Sequence, residues 1–397
     1  MNGAINYTAG PEVQAALTEL GRSEDIQFSP DQRRLAVVGF KQHRILLVDV
    51  EVRGDAGALQ VHLPSCLMLT GPSLKLPHGL SFLDEDTIVV ANRAGDVVFY
   101  AIPHVGQGET RAELQVLHEL EAGPEHTVET PGSVQVRPLG EDLFELLVCN
   151  NYANTVSRHV IDRADQCRAV ASSVLLRRGL TTPDGVTVDP TGRWIAISNH
   201  GEHALNLYQN TEQLHCDAQP EGEARGADYP HAACFTPDGR FLLLADAGSP
   251  YVCIYAAREQ GWSGALQPTH KVRIMSDETF ARGHVRPDEG GAKGIDVDRS
   301  QRVLAITTEY QQLAFFDLGT ILQEVEGAQP AEAPRAPAAA AKTDMRALLL
   351  AECARMDQLH RRDLKARLDH LHSSDSWRMT KPLRWLGQRL RQLKRRA

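Results

Sequence analysis

One pattern recurs six times between residues 26 and 310, and it constrains the fold more than any other feature of the chain. Each copy is a short apolar strand, a turn rich in Asp, Pro or Gly, and a second strand ending in polar residues. The copies read IQFSPDQRRLAVVGF, GLSFLDEDTIVVANR, SVQVRPLGEDLFELLVCNN, GVTVDPTGRWIAISNH, AACFTPDGRFLLLADAG and GIDVDRSQRVLAITTEY. With Phe28, Phe82, Val136, Val188, Phe235 and Val297 taken as equivalent, the intervals are 54, 54, 52, 47 and 62 residues. A third alternating run follows most copies, as in RILLVDV, DVVFYAI and YVCIYAA.

Runs of β-branched and aromatic residues of this length form strands, and the PDG-type tetrads between them supply tight-turn chemistry. Three or four strands per unit of about 50 residues correspond to one blade of a β-propeller, whose radial repetition protects its strand edges. The fold expected is therefore all-β, a six-bladed propeller over residues 1–322, with seven blades as the alternative. The sixth unit stops after three strands, so the segment 13–20 is expected to close the ring as its missing outer strand.

In a propeller, the loops on one face surround the mouth of a central channel. Two repeat-equivalent positions should point there. The position before the first strand holds Glu24, His78, Thr130, Asp184, His231 and Lys293. The end of the second strand holds Asn92 with Arg93, Asn150 with Asn151, Asn199 with His200, Asp246, and Glu309. His78, Asn92, Asn150, Asn199, His200 and Lys293 are thus candidate ligand-binding residues, and the mouth would suit a small sugar-like ligand or a divalent metal. Asn and Asp also end strands simply because they favour turns.

The fifth unit, YPHAACFTPDGRFLLLADAG, resembles the signature blade of the lactonase-family propellers, the group containing the 6-phosphogluconolactonases. Pro230, His231, Pro237, Asp238, Gly239, Arg240, Asp246 and Gly248 carry the resemblance. In the following unit Glu309 falls on the Glu of the family's Asn-Glu pair, with Thr308 in place of the Asn. Lys293 and Gly294 stand where the family has Arg and His. The resemblance implies His231, Asp246 and Glu309 as catalytic candidates, in a hydrolase that activates water and steadies an oxyanion.

The remainder has a different character. Residues 323–342 are rich in Ala and Pro and read as a semi-rigid linker. Residues 343–374 place Met345, Leu349, Met356, Leu359, Leu364, Leu368 and Leu371 on one helical face, a pattern suited to a coiled coil with a partner or a second copy. Residues 375–397 follow. From Arg378 onward they hold eight basic residues and no acidic one, so the other residues carry −17 against −9 for the whole chain. Leu383, Leu386 and Trp385 interleave with Arg384 and Arg389, as in a short amphipathic helix lying on an anionic membrane surface rather than on nucleic acid. Ser376, Trp377, Arg378, Thr380, Pro382, Leu383, Arg384 and Leu386 resemble the SWR-x-T-x-PLR-x-L ending of many bacterial glycosyltransferases and polysaccharide-assembly proteins.

No apolar run of membrane-spanning length occurs, and the start of the chain lacks the pattern of an export signal. The seven cysteines form no CxxC pair, which argues against a disulfide framework and for a reducing compartment. Two functions follow. One is a propeller scaffold attached peripherally to the cytoplasmic face of the membrane, serving cell-surface polysaccharide biosynthesis. The other is a sugar-lactone hydrolase of the 6-phosphogluconolactonase-like type.

Overall fold

The computed structural model describes residues 3–106, 108–120, 126–284, 286 and 288–328. The linker beyond residue 328, the helix expected over 343–374 and the basic tail over 375–397 lie outside the described residues.

The chain is a β-propeller, as its repeats require. Its strands form seven sheets, the number of the alternative reading. Six of them are the six sequence repeats, here blades 1 to 6 in chain order. Their innermost strands are Ser23–Phe28, Pro77–Asp84, Pro131–Pro138, Pro183–Val188, Pro230–Phe235 and Ala292–Val297. Each pairs antiparallel with the strand that follows it, through the turn seen in the sequence. The seventh sheet has three strands, Tyr7–Ala9, Gln60–Leu63 and Glu51–Arg53. It is built from an insertion in the first unit and from the N-terminal segment, so no repeat announces it.

The core is divided in the same way. Six apolar clusters lie between successive blades, for example Leu80, Ile88 and Val98 against Ala36, Val38 and Ile45. The last joins Val303, Ala305 and Phe315 of blade 6 to Ile26, Leu35 and Val37 of blade 1, which closes the ring. Side chains of the innermost strands also stitch neighbours together. Asp25 accepts from the Leu80 amide (2.9 Å) and Gln27 from the Phe82 amide (2.8 Å), while Asp296 accepts from the Phe28 amide (2.7 Å) across the closure.

The expected clasp needs correction. Residues 13–20 are not a strand; they belong to a helix, α1, Pro11–Leu20. Pro11 fits the first helical turn, where its missing N–H loses nothing. Val13, Leu17 and Leu20 then fall on one buried face, at helical rather than strand spacing. The outer strand of blade 6 is instead Ala4–Ile5, paired antiparallel with Ala314–Asp317. A second boundary also moves. Helix α2 is Asp277–Gly283, in the connection into blade 6, and helix α3, Leu318–Ala328, runs past residue 322. Leu318, Ile321 and Val325 are buried against the cluster between blades 5 and 6, so 323–328 is helix rather than linker.

Among the described residues no helix is long and apolar enough to cross a membrane.

Candidate functional site

Glu24, His78, Asp184, His231 and Lys293, each the second residue of its innermost strand, converge at one mouth of the channel. His78, Asp184 and Lys293 are followed by glycines whose backbone passes close to the next blade. A Cβ on Gly185 would lie 2.4 Å from the carbonyl oxygen of His231, and one on Gly294 would lie 2.7 Å from the Asp25 Cα. Only glycine permits that approach. This is how Asp184 and His231 of adjacent blades, and Lys293 and Glu24 across the closure, are brought together.

Two carboxylates organise the cluster. Asp184 is buried, and its Oδ2 lies 3.1 Å from Nε2 of both His200 and His231. Its Oδ1 accepts from Asn151 Nδ2 and from Arg93 Nη2, the latter at 3.2 Å. Arg93 also donates to His78 Nε2 at 2.7 Å, while His78 Nδ1 lies 2.9 Å from the Gly132 carbonyl. Glu24, the other carboxylate, pairs with Arg22 (2.5 Å) and Lys293 (3.5 Å), and its Oε2 lies 3.7 Å from Nε2 of His78 and of His231. Lys293 is 1% exposed and also pairs with Glu289 and with Glu309 (3.3 Å). Arg22 reaches Glu309 at 3.0 Å.

The charge states follow from this arrangement. Burial would raise the Glu24 carboxyl, but Lys293, with His78, Arg22 and His231, brings it down to about 2. Glu289 is likewise held near 2, burial being outweighed chiefly by Lys293. Asp184 lies well below the usual carboxylate range because its imidazole neighbours outweigh burial. Burial pushes His231 down to about 3 and His78 to about 4, the latter assisted by Arg93. At neutral pH the mouth thus holds ionised carboxylates, a charged ammonium and at least two neutral imidazoles. His231 stands between the two carboxylates and stacks on His78 with ring centroids 5.5 Å apart.

Of the sequence candidates, His78, His200, His231, Lys293 and Glu309 are in this cluster, with Glu24 and Asp184. Asn92, Asn150 and Asn199 are not. Each is bonded into the loop that precedes the innermost strand of its own blade, accepting from the amides of Lys75 (2.9 Å), Glu129 (2.9 Å) and Thr181 (2.6 Å). Asp246 does the same work in blade 5. Its carboxylate accepts from the amides of Asp228, Tyr229 and Gly248 and from the Ser249 hydroxyl at 2.6 Å. The strand-ending Asn or Asp is therefore a loop staple, and the residue after it faces the mouth: Arg93, Asn151, His200. Thr130 holds the Tyr152 amide at 3.2 Å.

Arg22 and Glu289 were missed by sequence reasoning. Glu289 lies in the irregular connection before blade 6, outside any repeat. Arg22 sits two residues before Glu24, a spacing that places it on the same side of an extended chain and could have drawn attention to it.

Among the described residues, two donor sets have the composition and spacing to hold a metal ion, Glu24–His78–His231 and Asp184–His200–His231, each with ligand atoms within 4.8 Å of one another.

Fold and site together define a β-propeller with a buried, charge-paired histidine cluster at one end of its channel. Comparison with known proteins narrows the class. Residues 155–279, blades 4 and 5 with their flanks, match the family described as "Lactonase, 7-bladed beta-propeller". A probable 6-phosphogluconolactonase from Arthroderma benhamiae is 26% identical over 144 residues, which cover 34% of this chain and 36% of that protein. The chain thus spans about a third of the length of that relative. A luciferin-regenerating enzyme superposes with a TM-score of 0.51 at 11% identity, covering 76% of this chain and 94% of its own, which supports the fold. A putative 6-phosphogluconolactonase from Bacteroides fragilis gives a TM-score of 0.43 at 11% sequence identity, with 72% and 76% of the two chains covered.

Proposed function

We propose that this propeller is a hydrolase that opens a lactone-type cyclic ester of a sugar acid at the mouth of its channel. The observation that carries this reading is the position of His231. It belongs to the blade that matches the lactonase family, it is uncharged at neutral pH, and it stands 3.1 Å from a carboxylate and within the same cluster as a buried ammonium. Opening a lactone requires water to add to the carbonyl carbon, giving a tetrahedral oxyanion that collapses as the ring C–O bond breaks and the departing oxygen takes a proton. His231 with Asp184 is suited to activating the water. Lys293, Arg22 and Arg93 offer cationic donors for the oxyanion in a site of low water content. Lys293 replaces the Arg implied by the family pattern as a point charge, without a bidentate fork.

The test is hydrolysis of gluconolactone-type substrates, corrected for the spontaneous rate, with and without added divalent metal. Wild type should turn over and His231→Ala should lose roughly 100-fold or more, the usual contribution of a positioned proton-transfer group. Absence of turnover, or equal turnover in both proteins, contradicts the reading. The sequence over 375–397 supports a separate proposal, that the chain attaches to an anionic membrane surface where polysaccharide assembly could be its setting.

A further inference from the structure

We propose that Asp184, His200 and His231 form a binding site for one divalent transition-metal ion of the zinc type. The site shares Asp184 and His231 with the lactone reading, and an ion held by His231 Nε2 would take a lone pair that proton transfer could use, so the two are tested separately. It joins two adjacent blades: Asp184 opens the innermost strand of blade 4, His200 follows that blade's second strand, and His231 opens blade 5.

Geometry is the first argument. Both imidazole Nε2 atoms lie 3.1 Å from Asp184 Oδ2. Ligands bound at about 2.1 Å to one ion stand about 3.0–3.4 Å apart in octahedral or tetrahedral arrangement, so each imidazole nitrogen already has that separation from the carboxylate oxygen, and all three atoms lie within 4.8 Å of one another. The second argument is polar satisfaction. His200 is 5% exposed, and its Nε2 has no aligned hydrogen-bond partner. Buried polar atoms are rarely left so, and coordination would use the Nε2 lone pairs. Third, the carboxylate is oriented from behind. Asn151 and Arg93 occupy Oδ1, which leaves Oδ2 facing the imidazoles, as supporting hydrogen bonds do at metal ligands.

The alternative donor set is already occupied. Arg93 donates to His78 Nε2, and the Lys293 ammonium stands 3.5 Å from Glu24 Oε2. A cation there would meet two others. Two imidazoles and one carboxylate suit zinc and its first-row neighbours rather than calcium or magnesium, which prefer oxygen. Three protein ligands leave positions open for water or a substrate oxygen.

The experiment is titration of the chelator-stripped full chain with Zn²⁺ alone, by calorimetry, with X-ray absorption at the zinc edge on the loaded protein. The proposal expects one equivalent, a nitrogen/oxygen shell with two imidazoles, and loss of that binding in His200→Ala and Asp184→Asn. Asn151→Ala should weaken it roughly 10- to 100-fold, and His78→Ala should retain it. Circular dichroism checks that each variant is folded. Should Asp184→Asn fail that check, His200→Ala and the absorption spectrum decide. No zinc uptake, uptake that survives His200→Ala, or loss in His78→Ala with retention in His200→Ala overturns the assignment. Zinc bound without lactone turnover supports the site and refutes the proposed reaction; turnover without zinc uptake does the reverse.

Discussion

Replacing Lys293 by Met removes the one ammonium that Glu24, Glu289 and Glu309 share, while keeping much of the aliphatic volume. In the native protein Glu24 and Glu289 are each held at about 2 against an ordinary value of 4.5. A group whose folded pKa is depressed contributes stability above its unfolded pKa and loses it as the pH falls through the folded value. A displacement of that size corresponds to about 3 kcal/mol for one carboxylate. The two do not add, because both depend on the same ammonium. Breaking a buried ion pair from one side typically costs about 3–5 kcal/mol, and that is the loss expected for Lys293→Met at pH 7. Without the ammonium, burial is opposed only by the remaining cations and the carboxyls move up from about 2, so the variant gains stability relative to wild type on acidification. At pH 4 the difference should shrink to about half. Urea unfolding of both proteins at pH 4 and pH 7 measures this. A loss under about 1 kcal/mol at pH 7, or an equal loss at both pH values, would refute the electrostatic account of the mouth.

Two further outcomes follow from other parts of the chain. Burial raises the Asp296 carboxyl, which stitches blade 6 to blade 1, to about 7. Its contribution is therefore complete below the unfolded value of 3.8 and is lost as the pH rises through about 7. Asp296→Asn should accordingly gain at least about 1 kcal/mol on wild type between pH 5 and pH 8 in urea unfolding, a figure kept well below the full shift because Asp296 is only partly buried; parallel profiles would contradict it. Deleting 375–397 should abolish sedimentation with anionic lipid vesicles at low salt and leave the unfolding transition of the propeller unchanged, whereas retained binding would move the attachment elsewhere.

The sequence disclosed the site where chemistry and repeat coincided. Glu24, His78, Asp184, His231 and Lys293 hold the same place at the start of equivalent strands, and strand geometry carries them to one mouth without any need to know the loops between. Legibility failed by one residue at the other strand end. Asn92, Asn150, Asn199 and Asp246 look functional because they are polar and recurrent, but they recur for a local reason: each staples the loop entering its blade. The following residues vary in type (Arg93, Asn151, His200) because they meet different neighbours in the mouth. Glu289 was illegible because an irregular connection has no period. The segment 13–20 reads as a strand because a short apolar run suits either strand or helix, and Pro11 just before it is the signal for the helix. The three-stranded seventh sheet joins segments about 50 residues apart through a parallel pair, a contact no local pattern specifies.

The central claim is that this mouth, and not the turn chemistry around it, performs ester hydrolysis. The most direct measurement compares kcat/KM for a sugar δ-lactone in His231→Ala and Asp246→Asn, each checked for folding by its unfolding transition. The account predicts that His231→Ala remains folded and loses turnover, while Asp246→Asn loses stability and keeps turnover near the wild-type value. Full activity in His231→Ala, or a selective loss in Asp246→Asn at unchanged stability, would contradict it.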